Sequence, residues 1–355
     1  MSEWTEQRDP QKGDSPLSVF VQGFGFTGSG ALLDWMKDQP EICVSAKVKG
    51  FMGREGVGEM LLAGPGPDAM RSVARQRLAA LEAQIRRRPL KMRLPGYRRG
   101  RALANDLKSA LGLGRRTGVH MTSTEVEGLE GWERDRDWLR AFIAGFDDGS
   151  VTNPASFWNG WFRDRIRQYC PDASHVALDK CLPFETDRFD GLWEDVMDPA
   201  RVVVAHRDPA DQAAEIVRRQ GWKKLARRCG YTGEPTADPA FGEHFLDWAE
   251  ANLRRVLDYQ RRRPDRCLAI PFEGFTGEPA AWSARVRAWL DLPQRPFEPG
   301  RFEPAVSREN VGIAAVEPHI DSLFDGLDAR REALEALRGE LDALSSPPNP
   351  DSPAP

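Results

Sequence analysis

Apolar positions along this chain fall into short unbroken runs separated by stripes at helical spacing. Leu17–Val21 is one such run, with β-branched Val19 and Val21, bounded by Pro16 and a glycine, and it reads as a buried strand. Gly23, Gly25, Gly28 and Gly30 then crowd eight residues, with Thr27 and Ser29 among them. From Ala31 the residues Leu32, Leu33, Trp35 and Met36 take helical spacing, and Pro40 stops that helix. Ile42–Ala46 reads as a second strand running into Lys47, Val48 and Lys49, followed by a glycine-rich turn over 50–66. Leu78, Leu81 and Ile85 mark an amphipathic helix, and Trp132–Phe146 and Ala155–Tyr169 are aromatic-rich helices whose stripes read first as core. His175–Leu178 is a third strand and Arg201–Ala205 a fourth, with a helix following through Arg219. A long helix over His244–Arg263, a fifth strand at Cys267–Ile270 and a helix over Ala280–Leu290 come next. Leu327, Leu334, Leu337 and Leu341 predict one closing helix over Leu323–Leu344.

Strands alternating with helices imply parallel βαβ units and a three-layer α/β domain, in which functional groups gather at the carboxyl ends of the strands. The glycine loop, Lys47, Asp179, Lys180, His206, Arg207 and Glu273 all fall at such ends. The expected organisation is a disordered N-terminus over 1–15, a single α/β domain over 16–345 with a basic, mostly helical insertion at about 67–150, and a disordered Pro-rich tail over 346–355.

With 355 residues, 40% hydrophobic and 29% charged, the chain is large enough to bury a substantial core. A net charge of −4 argues against a dedicated nucleic-acid binder. Within that balance, Met70–Thr117 carries fourteen Lys or Arg against two acids, Glu82 and Asp106. Such a run is either a solvated arginine-rich face or a lid that meets an anionic substrate or carrier. Cys43, Cys170, Cys181, Cys229 and Cys267 lack CxxC spacing, and the five histidines are isolated, so neither zinc site nor disulfide framework is signalled and no metal is expected. The opening MSEWTEQRDPQKGDSP has no apolar core and no run reaches membrane-spanning length. The expected setting is the cytoplasm, with reduced thiols, no membrane span and no nucleic-acid partner.

Strand, glycine-rich turn and helix form the layout in which backbone N–H groups and a helix N-terminus cradle a phosphate. The loop ends without lysine, so it is not a Walker A loop. Gly23–Gly28 satisfies GxGxxG, but the second strand ends in Lys47 and Lys49 rather than an acid, which disfavours NAD and leaves NADP open.

Several stretches, in order, carry a resemblance to the sulfotransferases that use 3′-phosphoadenosine 5′-phosphosulfate (PAPS). GFGFTGSGALLDWMKDQPEI is similar to the family's 5′-phosphosulfate loop and the helix behind it. RVVVAHRDPADQAAEI resembles its strand-ended R(D/N)P motif, and CLAIPFEGFTGEPAAWSARVRAWLDLP its YEDL stretch and following helix. DKCLP is similar to a KxxLP-like stretch, and SRENVGIAA stands where the family has a late loop closing over the 3′-phosphate. The resemblance spans about Leu17–Gly312 and leaves Met70–Val151 without a counterpart. Phe26 stands where the family's loop usually has Arg or Lys, Glu215 where Ser is common, and Cys181 where some members have a catalytic His.

The resemblance implies a P-loop nucleotide-kinase-like sulfotransferase fold and transfer of a sulfuryl group from PAPS to a hydroxyl of a small-molecule or saccharide acceptor. It implies a donor site of Phe24, Gly25, Phe26, Thr27, Gly28, Ser29, Gly30 and Ala31 for the 5′ end. Arg207, Arg308, Asn310 and Gly312 would serve the 3′ end. Transfer of this kind needs an anchored anionic donor, a cation on the bridging oxygen and a base for the acceptor hydroxyl. Lys47, Lys49 and Lys180 are the candidates to replace the missing loop cation; Asp179, His206 and His120 are the candidate bases. Against these roles, Arg207 also reads as an ion-pair partner of Asp208 or Asp211, His206 as a hydrogen-bonded structural group, and Asp179 as a turn cap. Two alternatives remain: a sulfotransferase-like nucleotide-binding protein that has lost turnover, and an NADP-dependent oxidoreductase.

Overall fold

A computed structural model of the chain describes residues 16–44, 67–87, 123–179, 196–235 and 237–345. It divides into two units, one of residues 1–45 and 170–355, the other of residues 46–169.

The first unit is built on five parallel strands in the order β2-β3-β1-β4-β5: β1 (Leu17–Gly23), β2 (Ile42–Val44), β3 (His175–Asp179), β4 (Ala200–His206) and β5 (Cys267–Pro271). β1 is central. Val19 pairs with Ala177 on one side and Arg201 on the other, and Val19, Phe20 and Val21 are completely buried. Burial on both faces explains why β1 and β4 are nearly continuous apolar runs rather than alternating ones. From β1 the chain leaves toward β2, whereas from β4 it leaves toward β5 on the opposite side. The carboxyl ends of β1 and β4 are therefore adjacent at a reversal of strand order, where open α/β sheets place their binding crevice.

On one face, α1 (Ser29–Lys37) inserts Leu32, Trp35 and Met36 among Val19, Val21, Ala177, Val203, Ala205, Leu268 and Ile270. A later helix, α9 (Pro279–Trp289), adds Val286 to that cluster, and Ser283 accepts the Trp35 indole N–H at 3.0 Å. Helices α5 (Pro209–Gln220), α6 (Trp222–Cys229) and α7 (Pro239–Arg262) follow β4. Asp208 and Asp238 cap α5 and α7, accepting from Ala210 N at 2.7 Å and from Phe241 N at 3.0 Å respectively. Two short helices, α8 (Phe272–Gly277) and α10 (Pro304–Arg308), flank α9, and a 3₁₀ turn spans Ile313–Ala315. The closing helix predicted over Leu323–Leu344 is two elements, α11 (Ile320–Leu323) and α12 (Asp328–Ser345). The chain turns at Phe324–Gly326, so Leu327 precedes the second helix while Leu334, Leu337 and Leu341 form its buried stripe.

Cys43 and Cys170 form a disulfide with Cα atoms 5.9 Å apart. This corrects the expectation of thiols without a disulfide. The pair is 127 residues apart in sequence and meets only because β2 lies beside β3, which spacing alone does not reveal. Cys229 and Cys267 are buried free thiols.

The second unit contains α2 (Pro67–Arg87), α3 (Ser123–Asp147) and α4 (Pro154–Tyr169). The aromatic stripes are core there. Phe142 packs on Phe157 and Trp158 at centroid distances of 5.4 and 5.2 Å, and Trp158, Trp161 and Phe162 are fully buried. Asp135 accepts from the Trp161 indole at 3.1 Å and from Arg165 at 2.9 Å. Burial pushes the Asp135 carboxyl above its ordinary range, against the pull of Arg165. Part of the basic run is spent locally: Arg71 and Arg75 each reach Asp147 at 2.8 Å. No helix among the described residues is long and apolar enough to cross a membrane.

Candidate active site

The loop between β1 and α1 is folded by left-handed backbone at Gly25, Phe26 and Gly28, with φ of 87°, 56° and 94°. Such values favour glycine at positions 25 and 28. A Cβ at Gly28 would also lie 2.3 Å from the Phe272 ring, so the loop lies directly against α8. Gly28 caps α1 without a side chain, so no side chain satisfies the Ser29 and Gly30 N–H groups from the cap position. Within this turn the Thr27 hydroxyl is buried and has no hydrogen-bond partner among the described residues. A hydroxyl left so at a helix N-terminus is a donor waiting for an anionic oxygen.

β4 delivers Arg207 to the loop. Its side chain is 1% exposed, and Nη1 donates to the Phe26 carbonyl at 3.2 Å while also pairing with Glu215. Nη2 donates to the Asn310 carbonyl, and the guanidinium stacks 4.9 Å from the Phe272 ring centre. One side chain thus ties the glycine loop to the 304–316 segment. Its acid is Glu215; Asp208 and Asp211, the partners weighed from sequence, are engaged elsewhere. Asp208 caps α5, and its N–H donates to Glu273 at 2.7 Å. Asp211 accepts from the N–H groups of Gly312 and Ala314 at 2.6 and 2.9 Å. Beneath this turn Arg338 bonds Glu273 at 2.7 Å and Glu335 at 2.6 Å. Burial works to lower the Arg338 pKa, but Glu273, Glu335 and Asp208 more than offset it, so the guanidinium titrates above its ordinary value.

Three residues that sequence reading missed complete the surroundings. Gln212 donates to the Gly25 carbonyl at 2.7 Å. Arg228, from α6, donates to the Phe24 carbonyl at 3.4 Å and sits 5.5 Å from the Phe26 ring centre. A Cβ at position 25 would lie 1.7 Å from Arg228 Nη1, so its approach needs the glycine. Arg219 flanks the same ring at 5.8 Å and bonds Glu215 at 2.8 Å. Two guanidinium groups therefore surround the Phe26 position, where the loop itself lacks a cation. No local sequence signal announces the contact, because 204 residues separate Phe24 from Arg228.

The other expected residues are placed as follows. Arg308 donates to the Thr276 carbonyl at 2.8 Å. Ala31 N donates to Gly28 O at 2.9 Å, and Gly30 is exposed at the start of α1. Ser29 is buried at the head of that helix. Asp179 ends β3 in register with Val21 and is half-buried. The His206 ring is 1% exposed and lies 3.2 Å from the Asp342 carboxylate on α12. Lys47, Lys49, His120, Lys180 and Cys181 lie outside the described residues. No cluster of metal-ligating side chains occurs among the described residues.

Comparison with known proteins supplies a class for this arrangement. A family model described as the sulfotransferase family matches residues 65–296. The match runs through 70–151, where the motifs found no counterpart, and begins after the glycine loop. No curated protein matches the chain in sequence. Among solved structures, the sulfotransferase domain of the Synechococcus PCC 7002 olefin synthase is 13% identical, covering 94% of this chain and 96% of that one, with a TM-score of 0.37. Sulfotransferase STF9 from Mycobacterium avium is 15% identical, covering 93% and 76%, with a TM-score of 0.40.

Proposed function

The chain belongs to the sulfotransferase family, and from that premise we propose that it transfers a sulfuryl group from PAPS to a hydroxyl of a small-molecule or saccharide acceptor. One observation carries the proposal: the buried Thr27 hydroxyl, without a hydrogen-bond partner among the described residues, lies in a left-handed glycine turn at a helix N-terminus whose Phe26 and Phe24 carbonyls accept from Arg207 and Arg228. That set of donors fits a phosphosulfate, which supplies the activated sulfuryl group when bound.

Thr27, Ser29 and the first N–H groups of α1 would hold its 5′ end, with Gly25 and Gly28 letting the backbone approach. Arg228 would supply the cation that the loop lacks at Phe26, stabilising charge on the bridging oxygen. Arg207, Asn310 and Gly312 border the 3′ side. Of the two described base candidates, Asp179 stands beside β1 with its side chain half-buried, whereas His206 is enclosed next to Asp342. We take Asp179 to accept the proton from the acceptor hydroxyl and His206 to be structural.

Calorimetric titration with the product nucleotide, 3′-phosphoadenosine 5′-phosphate (PAP), tests the donor. Binding on the order of micromolar is expected, weakened about tenfold in Thr27→Ala. Wild type that ignores PAP at high micromolar concentration would sink the reading. A second reading, a member that binds nucleotide without turnover, is favoured by the Arg207–Glu215 pair, which places a carboxylate where an anion would be received. It predicts PAP binding without sulfation of any hydroxyl acceptor.

A further inference from the structure

The segment 304–316 runs past the glycine loop with almost no apolar anchorage. Ile313 is its one buried residue, while Val306, Val311 and Val316 are 55%, 36% and 80% exposed. Its position is accordingly set by polar ties. Arg308 donates to the Thr276 carbonyl, Asn310 offers its carbonyl to Arg207, and the N–H groups of Gly312 and Ala314 both donate to Asp211. The Asp211 tie is the strongest in kind: a carboxylate 4% exposed, using both oxygens, at 2.6 and 2.9 Å. Asp211 lies in the first turn of α5, four residues after Arg207, on backbone already fixed by the Asp208 cap and Glu273.

We infer that Asp211 is a positioning residue for the donor site: it fixes the 304–316 strap, and thereby the Asn310 carbonyl that holds Arg207 against the glycine loop. The inference rests on the reading of that loop and Arg207 as the donor site. The sequence of contacts runs from Asp211 to Gly312 and Ala314, then Asn310, then Arg207 Nη2, then from Nη1 to the Phe26 carbonyl. Without the carboxylate the strap retains Ile313, the Arg308 tie and the Asn310 carbonyl bond to Arg207, with the Gly312 and Ala314 N–H groups no longer held behind it. Asn310 then no longer fixes the guanidinium plane, and Phe26 loses a steady donor on its carbonyl.

Hydrogen exchange on wild type, Asp211→Ala and Asp211→Asn, read on peptides over the strap and over residues 24–31, decides the point without any donor present. In Asp211→Ala the strap amides should exchange at least about tenfold faster, and the glycine loop should loosen with them. Asp211→Asn retains one acceptor oxygen and should fall between. Titration of PAP well below the melting temperature should show affinity reduced about tenfold in Asp211→Ala and less in Asp211→Asn. Faster exchange in the strap with an unchanged glycine loop overturns the inference, as does unchanged PAP affinity in both variants. Should Asp211→Ala fail to fold, the Asp211→Asn exchange pattern decides between the same two outcomes. Wild type that does not bind PAP would defeat the proposed donor, while the exchange coupling between strap and loop would still stand or fall by itself.

Discussion

Glu215 holds Arg207 and Arg219 at once, pairing with the buried guanidinium through one carboxylate oxygen and with Arg219 at 2.8 Å through the other. In the resembling family a serine is common at this position, and a carboxylate there competes with an incoming phosphate for the same guanidinium. Glu215→Gln keeps the side-chain shape and one acceptor while removing the charge. Arg207 is not orphaned by the change, because the Phe26 and Asn310 carbonyls remain. The expected result is PAP affinity increased about tenfold, with a stability loss of about 1 to 3 kcal/mol measured by urea unfolding. Unchanged affinity would mean that no phosphate reaches Arg207.

In the proposed function Arg228 would supply the cation absent at Phe26. Its guanidinium lies over the ring and donates to the Phe24 carbonyl. A group acting on charge that develops during transfer lowers the rate more than the affinity. Arg228→Ala should therefore reduce kcat about a hundredfold while PAP affinity changes by less than about tenfold. Arg228→Lys, lacking the planar fork, should recover only part of the rate. A rate equal to wild type would move the role to Lys47, Lys49 or Lys180.

The first strand, the glycine turn and α1 were legible because all their determinants are contiguous: an apolar run, clustered glycines, a stripe and Pro40. Arg207 was legible because it follows the clearest strand, and a parallel sheet places such residues at its working edge. What escaped reading depends on contacts made through space. Helix α6, WKKLARRC, buries Leu225, Ala226 and Cys229 alone, and nothing in those eight residues announces that Arg228 meets Phe24. Glu215 reads from sequence as an unwelcome neighbour of a phosphate; its role as the partner of Arg207 and Arg219 needs the helical turn of α5 to be in place. Asp211 reads from sequence as one of two acids weighed as ion-pair partners of Arg207, yet it secures a strap 101 residues further on. The enclosure of His206 beside Asp342 likewise requires α12 to be packed down.

The Cys43–Cys170 disulfide closes a loop of 127 residues, and its two ends flank the whole second unit in sequence. Cross-linking across so long a stretch restricts the unfolded chain strongly, for about 2 to 5 kcal/mol in comparable cases. A non-reducing peptide map should recover the linked Cys43 and Cys170 peptides. Reduction, or Cys43→Ser with Cys170→Ser, should lower the unfolding free energy obtained from urea titration by that amount. Finding both thiols free in protein purified without reductant would show that the pair stands close but unbonded.

His175 gives the fold a pH dependence whose sign can be fixed. Its Nε2 donates to the Leu290 carbonyl at 2.7 Å, and Nδ1 lies 2.8 Å from the Ser174 hydroxyl, which also donates to the Glu41 carbonyl at 3.3 Å. Burial lowers its pKa, with the Leu290 hydrogen bond opposing and the Arg201 charge assisting. The unfolded chain titrates near the ordinary histidine value of about 6.5. Above that value the ring is neutral in both states and contributes no slope. As pH falls through it, the unfolded state binds a proton that the folded state resists, so stability falls with decreasing pH until the depressed folded pKa is passed. Urea midpoints measured from about pH 7.5 to 5 should decline in wild type, and His175→Gln should remove up to one proton's worth of that slope while lowering stability at pH 7. A variant whose midpoints decline as steeply as wild type would assign the acid sensitivity to other groups.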